Sequence, residues 1–330
     1  MISDWGFRIG DFVALGARQG VVSFLPQRSL AFFGFLPLVV LRRFRLGIVV
    51  LALFVTASGC SSSASNAITA DQPVEAPPTF DHGPYNALLA EYVNERGMVD
   101  YARLQENQET ALRPYLRALA RTDPSNLSED ARLAFWVNAY NALALKLTVE
   151  NYPVESIRDV KPSGLPFVPK VNSPFKLEVS EVAGKKRTLD EIEHDIIRKE
   201  FPEEPRIHAA VVCAAMSCPE LRQEAYTGAR LDDQLDDQMR MFLRNENKNR
   251  IPAGENQIRL SKIFDWYGGD FAQEGTSKQT AVMDMAAGYF EDERARKLRR
   301  GTYDVSYLDY DWSLNEQSDD GGEGRVASGE

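Results

Sequence analysis

The stretch SEDARLAFWVNAYNALALKLTVE, Ser128–Glu150, decides the fold of this chain. Ser128 is a favoured helix N-cap, and the acidic Glu129 and Asp130 suit the positive end of a helix dipole. Apolar residues then recur on nearly every face of the predicted helix, which is typical of a helix that is buried. We therefore predict a helix over 131–150, at the centre of its domain.

Two amides interrupt this apolar helix. Asn138 and Asn141 lie three residues apart, so they occupy neighbouring positions on one side of it. A buried polar group left without a partner costs about 1–3 kcal/mol. We expect both amides to bond elsewhere in the fold, or to donate to an oxyanion in an active site.

Periodicity and turn signals divide the rest of the chain into helices and short strands. Further helices are predicted over 86–94, 111–120, 189–201, 231–244, 262–267 and 280–299, with Thr188 capping the helix at 189–201 and Ser261 the helix at 262–267. Strands are predicted over 175–179, around Val182 after which Gly184 makes the turn, over 207–212, 258–260 and 303–310. The predicted fold class is α+β, a single mixed domain with several helices around a small, mostly antiparallel sheet.

The N-terminus has the pattern of a targeting segment. The basic RRFR (Arg42–Arg45) precedes an apolar run over 46–57, which is too short to span a bilayer comfortably but suits a signal-peptide core. Ala57-Ser58-Gly59-Cys60 follows and resembles a bacterial lipobox, which implies lipidation of Cys60. We expect a lipid-anchored envelope protein on the periplasmic side of the outer membrane. A secreted or inner-membrane-tethered protein is the alternative.

These signals predict four parts of the chain. They are an N-terminal extension with signal peptide (1–59), the anchor cysteine with a Ser- and Pro-rich tether (60–79), the folded domain (80–316) and an acidic, Gly-rich disordered tail (317–330). Net charge is −10 for the whole chain and −14 once the first 59 residues are removed. A domain with this much negative charge repels the phosphate backbones of nucleic acids. We therefore exclude nucleic acid as a partner.

The candidate site is the stretch RIHAAVVCAAMSCPEL, Arg206–Leu221. It holds one of three histidines and two of three cysteines in the chain. Cys218 precedes Pro219, a favoured first helical residue, and a helix start there would lower the pKa of the thiol. No histidine follows Cys218, so the base of a cysteine enzyme would be His208 or His194. Glu193 would orient His208, since it is adjacent in sequence to His194 and points elsewhere on the helix.

Two further interpretations use the same residues. Cys213 and Cys218 could form a structural or labile disulfide in an oxidising envelope. A metal site would need His194, His208 and both cysteines, but they lack the paired spacing of a zinc site. We expect neither a metal nor an organic cofactor.

The chain resembles the domain of unknown function 547 family across nearly all of the predicted domain. The resemblance rests on Val99–Tyr101, Ala134–Leu143, Asn151–Ile157, Ile192–His194, Arg206–His208, Cys213, Ser217–Pro219, Glu224–Tyr226, Leu260–Phe264, Trp266–Tyr267 and Tyr307–Asn315. It implies a domain and its extent. It implies no reaction, although similar members occur as bacterial envelope proteins and in larger plant proteins.

Two classes of function stay open at this point. The first is an anchored binding or scaffold module with a protein or small-molecule partner. The second is a thiol-dependent hydrolase or acyl transferase that uses Cys218 with a histidine. Whether the two thiols are free or bonded separates the classes.

Overall fold

A long helix, α4 (Glu129–Val149), organises the computed structural model, which describes residues 78–161, 173–301 and 303–317. The Ser128 hydroxyl accepts from the Ala131 N–H, so the predicted N-cap is confirmed. Of its 21 residues, 17 are buried. Both the helix and its central position match the expectation from its apolar faces.

Three helices precede α4 and pack around it. They are α1 (Gly83–Tyr92), α2 (Tyr101–Ala111) and α3 (Arg113–Arg121). The sequence predicted one helix over 111–120 and missed α2, whose composition is mostly polar. It forms because Asp100 caps it and because Tyr101 and Leu104 alone bury its inner face.

The first two strands after α4 form a hairpin. Strands β1 (Ser180–Val182) and β2 (Lys185–Arg187) pair antiparallel, and Ala183 and Gly184 make the turn at φ 53° and 72°. Two residues with positive φ fit the tight turn of a twisted hairpin. The predicted turn at Gly184 is confirmed, whereas 175–179 is not a strand: Pro174–Lys176 is a 3₁₀ turn.

The helix predicted over 189–201 is present, but it is wound more loosely in its middle. The Thr188 hydroxyl accepts from the Glu191 N–H, as the predicted cap requires. Glu191–Ile197 is a π-helix, continued by the short α5 (Arg198–Glu200). A π-helical segment is rare and is found mostly at functional sites.

A second predicted strand is also wrong. Residues 207–212 begin with the short helix α6 (Ile207–Ala210), not with a strand. The turn starts at Pro205, whose carbonyl accepts from the His208 N–H at 3.2 Å. An apolar run buried on all sides has the same appearance in a helix and in a strand.

The C-terminal part contains the remaining helices and a parallel strand pair. It comprises α7 (Leu231–Arg244), β3 (Gln257–Leu260), α8 (Lys262–Tyr267), α9 (Lys278–Ala287), α10 (Glu293–Arg300) and β4 (Asp304–Tyr307). The single helix predicted over 280–299 is in fact α9 and α10, because the chain turns after Gly288. β3 pairs with β4 in parallel, Gln257 opposite Asp304.

The described part of the chain is therefore α+β and mostly helical, with one antiparallel and one parallel strand pair, which confirms the predicted class. Its buried apolar residues form two clusters, one around α1–α4 and the cysteines and one around α7–α10. Tyr310 packs against both. The candidate site lies where these clusters meet.

A buried histidine makes the first cluster sensitive to acid. His82 is 5% exposed, and its Nδ1 lies 2.8 Å from the Tyr115 hydroxyl and 3.1 Å from the Asn138 amide nitrogen. Burial lowers the pKa of His82 to about 4. The unfolded chain therefore binds a proton near pH 6.5 that the folded chain takes up only in stronger acid.

We expect His82 to remove roughly 3 kcal/mol of stability as the pH falls from about 6.5 to about 4. Urea unfolding of the wild-type protein and of His82→Gln across this range measures the effect. The variant starts less stable at neutral pH and loses less on acidification. Parallel curves for the two proteins would contradict this assignment.

Candidate functional site

Asn138 and Asn141 each hold a stretch of irregular backbone against α4. Asn141 donates to the Ala210 carbonyl at 2.9 Å and accepts from the Val212 N–H at 2.8 Å. Asn138 makes the same pair of bonds to Tyr226, at 2.7 and 3.0 Å. Both amides find the partners that burial requires, and Asn141 fixes the start of the cysteine loop, which we define as residues 211–218.

The donors of Asn138 are fully used within the fold. One N–H bonds the Tyr226 carbonyl and the other lies 3.1 Å from His82. The imidazole beside it is therefore that of His82, not of His194. These bonds give Asn138 a positioning role and leave it no proton for an oxyanion.

The C-terminal segment closes over the cysteine loop. Ser313 accepts from the Met216 N–H at 2.8 Å, and Asp311 accepts from the Ser217 N–H at 3.1 Å through its backbone carbonyl. In the same loop, Ala214 adopts a left-handed backbone conformation with φ 61°. This backbone conformation is strained in a residue other than glycine, and residues under such strain cluster at functional sites.

This conformation brings hydrogen-bond donors to the Cys218 sulfur. The Cys213 N–H and the Tyr310 hydroxyl each lie 3.1 Å from Sγ, and the Cys213 Sγ lies 2.6 Å away. Consecutive backbone N–H groups around a left-handed residue form an anion-binding nest. The sulfur therefore occupies a place suited to negative charge.

The surroundings of the two thiols shift their pKa values in opposite directions. Burial opposes ionisation of Cys218, but hydrogen bonds from Cys213, Tyr310 and the backbone of Ala215 and Cys213 outweigh it and lower the pKa of Cys218 to about 7. The pKa of Cys213 is raised well above its ordinary value by its hydrogen bond to Cys218 and by burial. Cys218 is therefore the thiol that ionises first, with a pKa near neutral pH, while Cys213 keeps its proton.

The expected source of this activation was wrong. No helix begins at Pro219; within the described residues the next helical turn after α6 is the 3₁₀ turn Gly228–Arg230. The nest formed by residues 213–215 takes the place of the helix dipole. Tyr310 was missed because it lies 92 residues from Cys218 along the chain, and no local pattern marks it.

The histidines form a separate polar cluster. His208 donates through Nε2 to Asp270 at 2.8 Å and stacks on Tyr267 with ring centres 4.1 Å apart. Asp270 also receives two bonds from Arg198, at 2.6 and 2.7 Å. Arg198 reaches His194 Nδ1 at 3.2 Å. The carboxylate that orients His208 is therefore that of Asp270, not that of Glu193.

Glu193 is 2% exposed and lies on the π-helix. Its charge adds to the hydrogen bond and burial that raise the pKa of Cys213, and to the burial that raises the pKa of Tyr267. Within the described part of the chain, the side chains that bond the Cys218 sulfur are Cys213 and Tyr310, with no imidazole among them. The residues crowded together in sequence therefore form two neighbouring clusters.

Among the described residues, no group of three or more histidine, cysteine or acidic side chains has an arrangement that could hold a metal ion. Cys60 lies outside the described residues. Its lipidation stays a prediction.

The fold and the site define a mixed α+β protein with a buried pair of free thiols. Residues 124–243 match the model of the family described as "Protein of unknown function, DUF547". The match spans α4, the cysteine loop and α7, and it confirms the resemblance there. No curated protein and no solved structure matches the chain.

Asp270 holds together the cluster around His208. Burial alone would raise the pKa of Asp270, but hydrogen bonds from His208 and Arg198 outweigh burial and lower it well below its usual range. Its contribution to stability is therefore complete above the unfolded value of about 4 and is lost as the pH falls below it.

We expect Asp270→Asn to lose about 1–3 kcal/mol of unfolding free energy at pH 7, because two buried donors lose a charged acceptor. The difference in unfolding free energy between wild type and variant should narrow as the pH falls below about 4, because the unfolded chain then binds a proton that folded Asp270 takes up only in stronger acid. Asp265→Asn is the matched control, since Asp265 pairs with Lys262 and Lys278 in more exposed surroundings. Equal losses in both variants at pH 7 would refute the role of Asp270.

Proposed function

We propose that this protein is a lipid-anchored protein of the bacterial cell envelope whose functional centre is the redox-active dithiol of Cys213 and Cys218. The observation that carries the proposal is the distance of 2.6 Å between the two sulfurs, one stabilised as a thiolate and one held protonated. A thiolate beside a thiol is the reduced form of a pair that closes to a disulfide.

The surroundings of the dithiol favour redox chemistry over the hydrolysis of large substrates. Cys218 is 2% exposed and Cys213 is 7% exposed, and Tyr310 covers both sulfurs. A nucleophile that attacks a protein or polysaccharide needs an open cleft at its sulfur. Disulfide formation needs only a small oxidant and the two neighbouring sulfurs.

A thiol-dependent hydrolase or acyl transferase is a second candidate, favoured by one feature of the histidine cluster. His208 Nδ1 is buried and has no hydrogen-bond partner, while Nε2 is oriented by Asp270. An oriented imidazole with one free ring nitrogen is the arrangement of a general base. This candidate further requires the thiols to come within reach of His208.

A binding or scaffold role is favoured by a cleft of about 330 Å³ between α4 and α7. This volume is at the lower end of ligand sites. Its floor is apolar, and its rim is mostly acidic, which suits a partner with positive charge. The lining includes Leu133, Phe201, Leu231 and Leu235 together with Glu129, Asp130, Glu200, Glu203 and Asp232.

The envelope location rests on the segment before the domain. The basic residues at 42–45, the apolar run at 46–57 and the small residues before Cys60 support export and lipidation. Among the described residues, no helix is both long enough and apolar enough to cross a bilayer. The proposed attachment is therefore the lipid on Cys60, and an oxidising compartment suits a dithiol that cycles.

We expect thiolate absorption in the ultraviolet to titrate with a pKa of about 7 in the reduced protein and to vanish in Cys218→Ser. Tyr310→Phe should raise this pKa by about one to two units, because a hydrogen bond to a charged group is worth about 1.5–3 kcal/mol. Tyr226→Phe is the control, since it removes a buried hydroxyl that has no partner. An unshifted titration in Tyr310→Phe would contradict the proposed thiolate site.

The redox step has its own measurement. Incubation of the reduced protein with diamide, a small two-electron oxidant, should remove two hydrogen atoms and link Cys213 to Cys218, and reduced dithiothreitol should restore the thiols. Peptide mapping by mass spectrometry identifies the bond. Failure of the bond to form in the folded protein would refute the dithiol as a redox centre.

Lipidation can be tested in a bacterial host that processes lipoproteins. We expect an alkyne-tagged fatty acid to label the wild-type protein and the protein to stay in the membrane fraction, while Cys60→Ala is unlabelled. Cys213→Ser is the matched control and should be labelled like wild type, since it keeps the lipobox. Label on Cys60→Ala would show that the anchor has been assigned to the wrong residue.

A further inference from the structure

We propose that the dithiol reduces small hydroperoxides, with Cys218 as the attacking thiolate and Cys213 as the thiol that resolves the product. This inference rests on the proposed redox function and names its substrate class and the role of each sulfur. Three features of the site lead to it: burial, the placement of donors and the asymmetry between the thiols.

Burial selects the size of the oxidant. At 2% and 7% exposure, neither sulfur offers the line of approach that a disulfide of another folded protein needs. The Tyr310 side chain lies across them, with its hydroxyl 3.1 Å from Cys218 and 3.6 Å from Cys213. Hydrogen peroxide is close to water in size, so such burial hinders it less than it hinders bulky hydroperoxides.

The donors around Cys218 suit attack on an oxygen–oxygen bond. The thiolate attacks one oxygen, the S–O bond forms, the O–O bond breaks, and the departing oxygen takes up a proton. The balanced step is Cys218–S⁻ + ROOH + H⁺ → Cys218–SOH + ROH. The Tyr310 hydroxyl and the Cys213 N–H, both 3.1 Å from the sulfur, are placed to hydrogen-bond the oxygens on which charge develops.

Cys213 is placed for the second step. Its sulfur lies 2.6 Å from that of Cys218, so a sulfenic acid at Cys218 forms beside it. The balanced step is Cys213–SH + Cys218–SOH → Cys213–S–S–Cys218 + H₂O. Two electrons pass from the thiols to the hydroperoxide. An external dithiol returns them and reopens the pair.

The difference between the two thiols determines which sulfur reacts first. Cys218 accepts the backbone N–H of Cys213 and the Tyr310 hydroxyl, and its pKa is lowered to about 7. Cys213 donates to Cys218, and this hydrogen bond together with burial raises the pKa of Cys213. The thiolate rather than the thiol is the nucleophile, so Cys218 reacts first.

The test is a rapid-mixing reaction of the reduced, full-length protein with hydrogen peroxide, quenched with N-ethylmaleimide and read by mass spectrometry. We expect wild type to form the Cys213–Cys218 disulfide at least about tenfold faster than free cysteine is oxidised, since its thiolate is stabilised. Cumene hydroperoxide should react more slowly than hydrogen peroxide. A rate equal to that of free cysteine would overturn the proposal.

The variants separate the two sulfurs. Cys213→Ser should stop at a sulfenic acid on Cys218, trapped as a dimedone adduct, and Cys218→Ser should show no fast reaction. Dimedone trapping and peptide mapping in the wild-type protein give the same assignment without a substitution in the buried site. A first adduct on Cys213 would reverse the assigned roles and refute the proposal.

A parallel reaction with diamide, an oxidant that is not a peroxide, distinguishes this inference from the proposed function. If that reagent closes the disulfide while hydrogen peroxide reacts only at the rate of free cysteine, the dithiol is redox-active and the hydroperoxide is the wrong substrate. If neither reagent closes it, the redox function itself is refuted.

Discussion

The structure depends on two side-chain amides that α4 must bury. A helix with 17 of 21 residues buried has no solvent to satisfy Asn138 and Asn141. Each therefore bonds both the carbonyl and the N–H of irregular backbone, around Tyr226 and around Ala210 and Val212. Since each group left unpaired costs about 1–3 kcal/mol, these bonds fix the path of the chain on two sides of α4.

The cysteine site follows from that constraint. Asn141 holds Val212, and the C-terminal segment holds the loop from Ala214 to Ser217 through four backbone hydrogen bonds and bridges. Between these supports, the left-handed Ala214 costs about 1–2 kcal/mol, which the surrounding bonds offset. The strain turns the Cys213 N–H toward the sulfur of Cys218. The charge preference of that sulfur therefore originates in backbone geometry.

Sequence analysis predicted the parts of this arrangement that short-range signals encode. Ser128, Thr188 and Ser261 cap the helices that they were expected to cap, because capping needs only residues two or three positions apart. Burial of α4 followed from its apolar faces. The need of Asn141 for a partner also followed, but its partner did not, since Val212 is 71 residues away.

The errors have physical causes of the same kind. Residues 207–210 are buried on all sides, so their apolar run carries no period, and Pro205 alone indicates the helix. The polar α2 needs only two buried side chains and shows no amphipathic pattern. Asp270 and Tyr310 reach the site from segments 62 and 92 residues away from their partners His208 and Cys218. Contacts of this range are set by the fold as a whole.

The thiols and the histidines form separate clusters, and this determines which groups stabilise the Cys218 thiolate. Arg198 is held by Asp270 and His194. Lys248 donates to the backbone carbonyl of Cys218 and pairs with Glu220, so its charge is bound away from the sulfur. Cys218 instead gains its stabilisation from neutral dipoles: a backbone N–H, a tyrosine hydroxyl and a thiol. Dipoles fixed in a buried site are screened little by salt and do not change charge with pH. The thiolate therefore depends on the fold that orients these groups. Because its donors come from the cysteine loop and from the C-terminal segment, separation of these two elements would remove the charge preference of Cys218 together with its cover.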